Sequence, residues 1–178
     1  MKIVLISGKA RHGKDTVAGI IEQSVKERGE RVLVTHYADL VKYICKSFFG
    51  WDGKKDERGR HILQYVGTDV VRKQNPTFWL DFLVSVLKFF DGEWDYVVIP
   101  DTRFKNEVFG MIDAGFDVTH LRVVRNNVED GLTPEQRMHQ SEIDLDDVEP
   151  DAFIYNNGTI FDLNITVEDI LEEYVYER

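Results

Sequence analysis

Apolar positions come in short blocks separated by polar stretches, and the blocks alternate between two periods. Ile3-Val4-Leu5-Ile6 is a continuous apolar run, after which Val17, Ile20, Ile21 and Val25 recur at the spacing of one helix face and stop near Gly29. Arg31 to Tyr37 predicts a second strand, and Leu40, Val41, Ile44, Cys45, Phe48 and Phe49 predict a helix closed by Gly50. Trp51 to Arg60 is charged and contains glycines, as a loop would. A helix is expected over His61–Gln74, and another from Pro76 to about Phe90. Asp95 to Asp101 encloses the run Val97-Val98-Ile99, the pattern of a strand buried on both faces. Phe104 to Ala114 is amphipathic and ends at Gly115, Asp117–Val124 predicts a fourth strand, and Ala152–Tyr155 a fifth. Between the last two, Asn126 to Asp147 is the most polar stretch, and it is read as a lid with one short helix near Glu135–His139. Asn156-Asn157-Gly158 makes a turn and Thr166–Glu177 the closing helix. Strands alternating with helices predict an α/β fold, a parallel sheet covered on both faces.

The first junction carries the most chemistry. Gly8-Lys9-Ala10-Arg11-His12-Gly13-Lys14 follows the first strand and opens a helix, which is the order of a P-loop: glycines let successive N–H groups wrap a phosphate, and Lys14 reaches the β- and γ-phosphates as a movable charge. Gly8, Arg11, His12, Gly13, Lys14, Asp15 and Thr16 are thus the candidate nucleotide-binding residues. The bland alternative is a pair of ordinary turn glycines, which does not account for lysine and helix arriving in the required order. Asp15 stands where the strict pattern has Ser or Thr, so Mg²⁺ would be held there through water, with the Thr16 hydroxyl beside it. In this one-residue offset the loop resembles small nucleotide kinases of the adenylate kinase type.

The chain of 178 residues suits a single domain. Its 22 basic and 32 acidic residues leave a net charge of −10, which repels nucleic-acid backbones and anionic membrane surfaces. Free nucleotides are therefore the expected partners, with no nucleic acid polymer and no membrane, and they must be held by locally gathered Lys and Arg. Cys45 is the only cysteine, so an internal disulfide is excluded and a reducing, cytoplasmic setting fits. The N-terminal apolar run is too short for a signal peptide or a membrane span.

Ligands of open parallel sheets collect at the carboxyl ends of the strands. Asp101 ends the third strand, where an acid would join Asp15 and Thr16 as a candidate Mg²⁺ holder; its alternative, shared with Thr102, is to cap the next helix. Arg103 follows at a strand end and suits a bidentate pair with phosphate, while Lys42 and Arg72 come from helices. Arg122, Arg125 and Arg137 bracket or occupy the lid. Arg125 and Arg137 are preferred for neutralising a transferred phosphoryl group, because Arg122 falls within a strand. Gln64 and Thr68 suit a base edge, or else satisfy nearby backbone. His139, Ser141 and Glu142 suggest a hydrolase triad but lack a nucleophile elbow, and the remaining histidines have no metal-ligand spacing.

Several segments, in order along nearly the whole chain, resemble the deoxynucleoside monophosphate kinases of tailed bacteriophages, within the P-loop group that includes dephospho-CoA kinase and phosphomevalonate kinase. They are Ser7 to Thr16, Leu63-Gln64-Tyr65-Val66-Gly67-Thr68-Asp69, Phe78-Trp79, Tyr96 to Arg103, a helix bearing Glu107, His120 to Arg125, His139-x-Ser141-Glu142 and Asn156-Asn157-Gly158-Thr159. The resemblance implies a P-loop three-layer sandwich with a five-stranded sheet, an acceptor-binding region over about 37–91 and a lid over about 126–147. It implies ATP and Mg²⁺ as cofactors. Lys42, Gln64, Thr68, Asp69, Arg72, Trp79 and Glu107 would lie on the acceptor side, Arg103 on the acceptor phosphate, and Asn156, Asn157 and Gly158 against the adenine. The implied reaction is phosphoryl transfer to a deoxynucleoside monophosphate, in the host cytoplasm if the source is viral, with a homodimer left open. Two rivals stand beside it: a kinase of another small phosphorylated metabolite, and an ATP-binding module without transfer.

Overall fold

The computed structural model describes all residues except Lys55, Asn127, Asp130, Glu177 and Arg178. Five strands, β1 (Lys2–Ser7), β2 (Val32–Val34), β3 (Tyr96–Ile99), β4 (Asp117–Val124) and β5 (Ala152–Tyr155), form one sheet in the order β2-β3-β1-β4-β5. Every pairing is parallel, with Ile3 opposite both Val97 and Val118. β1 lies at the centre, and Ile3, Val4, Leu5 and Ile6 are fully buried. That burial on both faces is the reason its sequence does not alternate.

The chain divides into two compact units, Met1–Thr35 with Phe90–Arg178, and His36–Phe89. In the first, α1 (Lys14–Glu27) and α8 (Ile160–Leu171) cover one face of the sheet: Val17, Ile21 and Val25 meet Leu163, Val167 and Leu171 over Val4, Val98, Leu121 and Ile154. Spacings of four residues put each set on one helix face. α5 (Lys105–Asp113) turns Val108 and Met111 inward. The segment before β5 holds two one-turn helices, α6 (Pro134–Arg137) and α7 (Gln140–Ile143), where one was expected. His139 divides them, capping α7 with its Nδ1 on the Ser141 N–H at 3.3 Å.

In the His36–Phe89 unit, α2 (Ala38–Phe48), α3 (Glu57–Gln64), a π-helical continuation (Tyr65–Arg72) and α4 (Phe78–Phe89) enclose Val41, Cys45, Trp51, Val66 and Trp79. The expected loop 51–60 is cut short because Asp56 caps α3 through the Gly59 N–H at 2.8 Å. Trp79, 2 % exposed, donates Nε1–H to the Gly67 carbonyl within the π segment at 2.9 Å.

Two other boundaries differ from the sequence reading. β2 is three residues long rather than seven, and one further bond, from the Thr35 N–H to the Val98 carbonyl, continues its pairing. The closing helix begins at Ile160 instead of Thr166, because Thr159 and Asp162 cap it reciprocally: the Thr159 N–H donates to Asp162 Oδ2 at 2.8 Å and the Asp162 N–H to Thr159 Oγ1 at 3.2 Å. A π segment, Glu172–Tyr176, extends it, and Glu177 of the expected helix lies outside the described residues. Among the described residues no helix is long and apolar enough to cross a membrane.

Thr159→Ala removes one side of this cap, so urea unfolding should show a loss of about 1 kcal/mol. A helix starting at Thr166 would leave the midpoint unchanged.

Candidate active site

The loop between β1 and α1 is shaped by its contacts with the ends of β4 and β5. Gly8 and Gly13 have φ of +142° and +102°, and a Cβ on either would strike the Val123 carbonyl oxygen or the Asn156 amide nitrogen. Glycine is therefore required at both places by conformation and by space. Arg11 also has a positive φ, +61°. Asn156, expected at the adenine, is instead 9 % exposed and braces the loop, donating Nδ2–H to the His12 carbonyl at 2.9 Å and its N–H to the Val124 carbonyl at 2.8 Å.

Lys14 curls back over the loop and donates to the carbonyls of Gly8 at 2.7 Å and Lys9 at 2.9 Å. Burial, and next the Arg103 guanidinium, lower its pKa to about 8, against the pull of Glu142, Asp15 and Asp101. Burial also lowers the pKa of His12, whose Nδ1 lies 3.2 Å from both the Val123 carbonyl and the Arg125 N–H. Nδ1 can donate to the first or accept from the second, so a neutral ring serves one of them at a time. Asp15 and Thr16 sit exposed in the first turn of α1.

A cleft of about 290 Å³ opens beside the loop, lined by Lys9, Arg103, Arg122 and Glu142 among others. Arg103 pairs with the Glu142 carboxylate and reaches the Ser141 carbonyl at 3.3 Å. Lys9 pairs with Asp146 and also donates to the Glu142 carbonyl. Arg122 donates Nη2–H to the carbonyls of Leu145 at 2.6 Å and Val148 at 2.7 Å, and its Nε lies 3.4 Å from Ser7 Oγ. Ser7 Oγ meets His120 Nε2 at 2.7 Å, and burial, then Arg122, push the His120 pKa down to about 4.

Asp101 is half-buried just beyond β3 and contributes to the field at Lys14. Its alternative role as a cap is set aside: Phe104 is the residue flanking α5, and the Thr102 hydroxyl donates back to the Ile99 carbonyl. Glu107, expected on the acceptor side, is 1 % exposed, and Oε2 accepts the N–H groups of Arg103 at 2.7 Å and Phe104 at 3.0 Å. It holds the Arg103 backbone and is closed to a ligand. A second cleft, about 590 Å³, brings together Arg11, Arg125, Asn126 and Asn157, with the Asn126 N–H on Asn157 Oδ1 at 2.8 Å and Gly158 next in the turn. Arg137 is exposed at the end of α6 and is not among the residues that line either cleft.

The remaining candidates lie in the His36–Phe89 unit. Lys42 pairs with Asp39 at 2.8 Å, Gln64 ends α3, Thr68 and Asp69 lie on the π segment, and Arg72 reaches the Pro76 carbonyl at 3.4 Å. Trp79 is a correction, since its ring belongs to the core and has no face for a ligand. The triad reading fails on geometry: His139 Nδ1 meets Ser141 Oγ at 2.9 Å, but Glu142 is engaged by Arg103. Sequence reasoning left Lys9 and Asp146 out of the site, ranked Arg122 behind Arg125 and Arg137, and met Glu142 only in the triad pattern and a resemblance segment. Lys9 lies inside the glycine motif itself, whereas the signal for Asp146 was no more than an acidic stretch.

The lowered Lys14 pKa has a sign that can be measured. A bound phosphate favours the charged amine and raises its pKa, so binding of inorganic tripolyphosphate near pH 8 takes up protons and weakens as pH rises through 8. Calorimetry in buffers of different ionisation enthalpy should show this uptake, and Lys14→Met should abolish it. Folding follows the same linkage: because the folded pKa lies below the unfolded value, the charged lysine costs stability below about pH 8, and that cost fades as pH climbs toward 10.5.

Solved structures of P-loop kinases share this architecture. The APS kinase CysC of Mycobacterium tuberculosis, in complex with AMPPNP and APS, aligns over 96 % of this chain and 97 % of its own, at 16 % identity and a TM-score of 0.55. Dephospho-CoA kinase from Campylobacter jejuni aligns over 97 % of both chains at 14 % identity and a TM-score of 0.57. Among curated proteins, the deoxynucleotide monophosphate kinase of Escherichia phage RB69 is 31 % identical over 63 % of this chain and 44 % of its own length. That of Enterobacteria phage T4 is 29 % identical over 64 % and 45 %. The chain thus spans about half the length of the curated relatives it matches. The family model of deoxynucleotide monophosphate kinase covers residues 44–167, from α2 into α8. Matched over more than two thirds of its length, the chain belongs to the deoxynucleotide monophosphate kinase family.

Proposed function

We propose that this protein transfers the γ-phosphoryl group of ATP to the phosphate of a deoxynucleoside monophosphate, giving the diphosphate and ADP. The observation that carries the reading is the convergence of Lys14, Lys9, Arg103 and Arg122 around the glycine loop in a chain that is otherwise strongly acidic. Phosphoryl transfer asks the protein for alignment and for charge that neutralises the equatorial oxygens, with no covalent nucleophile. Lys14 is poised for the β- and γ-phosphates. Arg103, held from behind by Glu107, presents a planar guanidinium to the acceptor phosphate. Asp15, Thr16 and Asp101 offer the oxygen donors that suit Mg²⁺, an ion that keeps several waters and leans on substrate phosphates. Bound there, it would neutralise charge on the triphosphate.

Family membership and the names of the phage relatives support the deoxynucleotide acceptor, and the AMPPNP bound by the Mycobacterium tuberculosis kinase supports ATP as donor. In this reading the His36–Phe89 unit recognises the acceptor through Lys42, Gln64, Thr68, Asp69 and Arg72. The segment 126–147 is the lid, with Arg125 at its start and Arg137 within it, and the second cleft, at Arg11, Arg125 and Asn157, serves the donor nucleotide. The substrates are small free nucleotides, and the setting is the cytoplasm, that of the host if the source is viral.

ADP release from ATP and Mg²⁺, measured with each deoxynucleoside monophosphate, each ribonucleoside monophosphate and dephospho-CoA, tests the proposal. Stimulation by one or more deoxynucleotides is expected, while stimulation by dephospho-CoA alone would overturn the acceptor. Lys14→Ala should lower turnover by about 10²-fold or more with the fold retained, the size expected when one charge on the transition state is lost. Arg103→Ala should chiefly raise the KM for the monophosphate, and an unchanged acceptor dependence would remove it from the site.

A further inference from the structure

Two of the cleft's cations, Arg103 and Lys9, are already in company with anions, and the anions come from a single short segment. Glu142, 11 % exposed at its side chain, puts its carboxylate on Arg103, and Asp146 puts its own on Lys9. Both pairs lie in the cleft beside the glycine loop, where Ser7, Gly8 and Lys9 form one wall. The Glu142 charge is also felt at Lys14 and at His12, so one carboxylate faces the same groups that would surround a phosphate.

We propose that Glu142 and Asp146 are intramolecular competitors for the phosphate site, standing in for substrate oxygens in the unliganded protein and giving way when a polyphosphate enters. The inference rests on the kinase reading only for the identity of the natural anion. Several like charges in a partly buried cleft repel one another, and a tethered carboxylate offsets that repulsion while the site is empty. Its cost appears in affinity, because a ligand binds only the fraction of molecules whose cations are released.

What gives way is limited by the anchors on either side. Arg122 holds the carbonyls of Leu145 and Val148, the Lys105 N–H holds Asp144 at 2.8 Å, and Lys105 Nζ holds Asp147 at 2.6 Å. Residues 144–148 are thus fastened to β4 and α5, and the two side chains, with the one-turn helix α7, are the parts that swing aside. Ordered cations on a fixed floor, covered by two displaceable acids, form a site that is shaped before its ligand arrives but discourages stray small anions.

The test is calorimetric titration of inorganic tripolyphosphate into the wild-type protein and three charge-neutralising variants. Glu142→Gln keeps the side-chain shape and should bind about tenfold more tightly, and Asp146→Asn about threefold, as the released fraction rises. Glu149→Gln removes the same charge from an exposed position outside this cleft and should bind within a factor of about 1.5 of wild type, the shift expected of a screened distant charge. If Glu142 instead positions Arg103 for binding, Glu142→Gln binds more weakly, and that result overturns the proposal. Unchanged affinity in both cleft variants, or an equal gain in Glu149→Gln, overturns it too. Should Glu142→Gln fail to fold, the exposed Asp146→Asn decides alone. A wild-type protein that binds tripolyphosphate yet shows no deoxynucleotide-stimulated ADP release would defeat the proposed reaction and leave this comparison standing.

Discussion

The close approach of the glycine loop to the ends of β4 and β5 is the constraint on which the rest of the site depends. With no room for a Cβ at Gly8 or Gly13, and with Asn156 bonded to the His12 carbonyl, the loop takes its course from protein contacts alone. The cost of ordering those residues is met during folding rather than at binding, which is what pre-organisation means for affinity. The strand order brings these partners to the loop: β4 lies beside β1 and β5 beside β4, so that Val123, Val124 and Asn156 come to its elbow.

Shaping the loop this way concentrates positive charge and creates an electrostatic problem that the acidic chain solves locally. Burial first, and Arg103 after it, make Lys14 hold its proton less tightly than a free lysine, and burial followed by Arg122 depresses His120 in the same manner. Backbone carbonyls take part of the load, two on Lys14 and two on Arg122. Carboxylates of the 140–147 stretch take the remainder. The polar segment that a sequence reading sees as a lid with one short helix is thus two things: one-turn helices, and a set of counter-ions tied to the loop and to α5.

The sheet was legible to the residue where burial leaves a pattern. Asp117–Val124 and Ala152–Tyr155 emerge at the bounds that their apolar runs mark. The P-loop was legible because its glycines, lysine and helix are contiguous. Boundaries set by capping were read less well: Thr159 with Asp162, and Asp56 with Gly59, start helices earlier than apolar periodicity suggests, since a cap is a polar signal that precedes the buried face. Trp79 and Glu107 were assigned to ligand on resemblance and turned out to be packing and backbone support, because nothing in a residue's type distinguishes a polar group facing a cleft from one facing a buried N–H.

What the sequence by itself determined was local: strands from continuous apolar runs, helix faces from spacing, and a phosphate loop from residues adjacent in the chain. Which cations share the cleft, and which acids cover them, only the tertiary structure decided. Lys9 and Asp146 are 137 positions apart, and Arg103 and Glu142 are 39 apart. Ion pairs of this kind form because the sheet order places the ends of β1, β3 and β4 side by side, and a one-dimensional pattern of charges carries no record of that order.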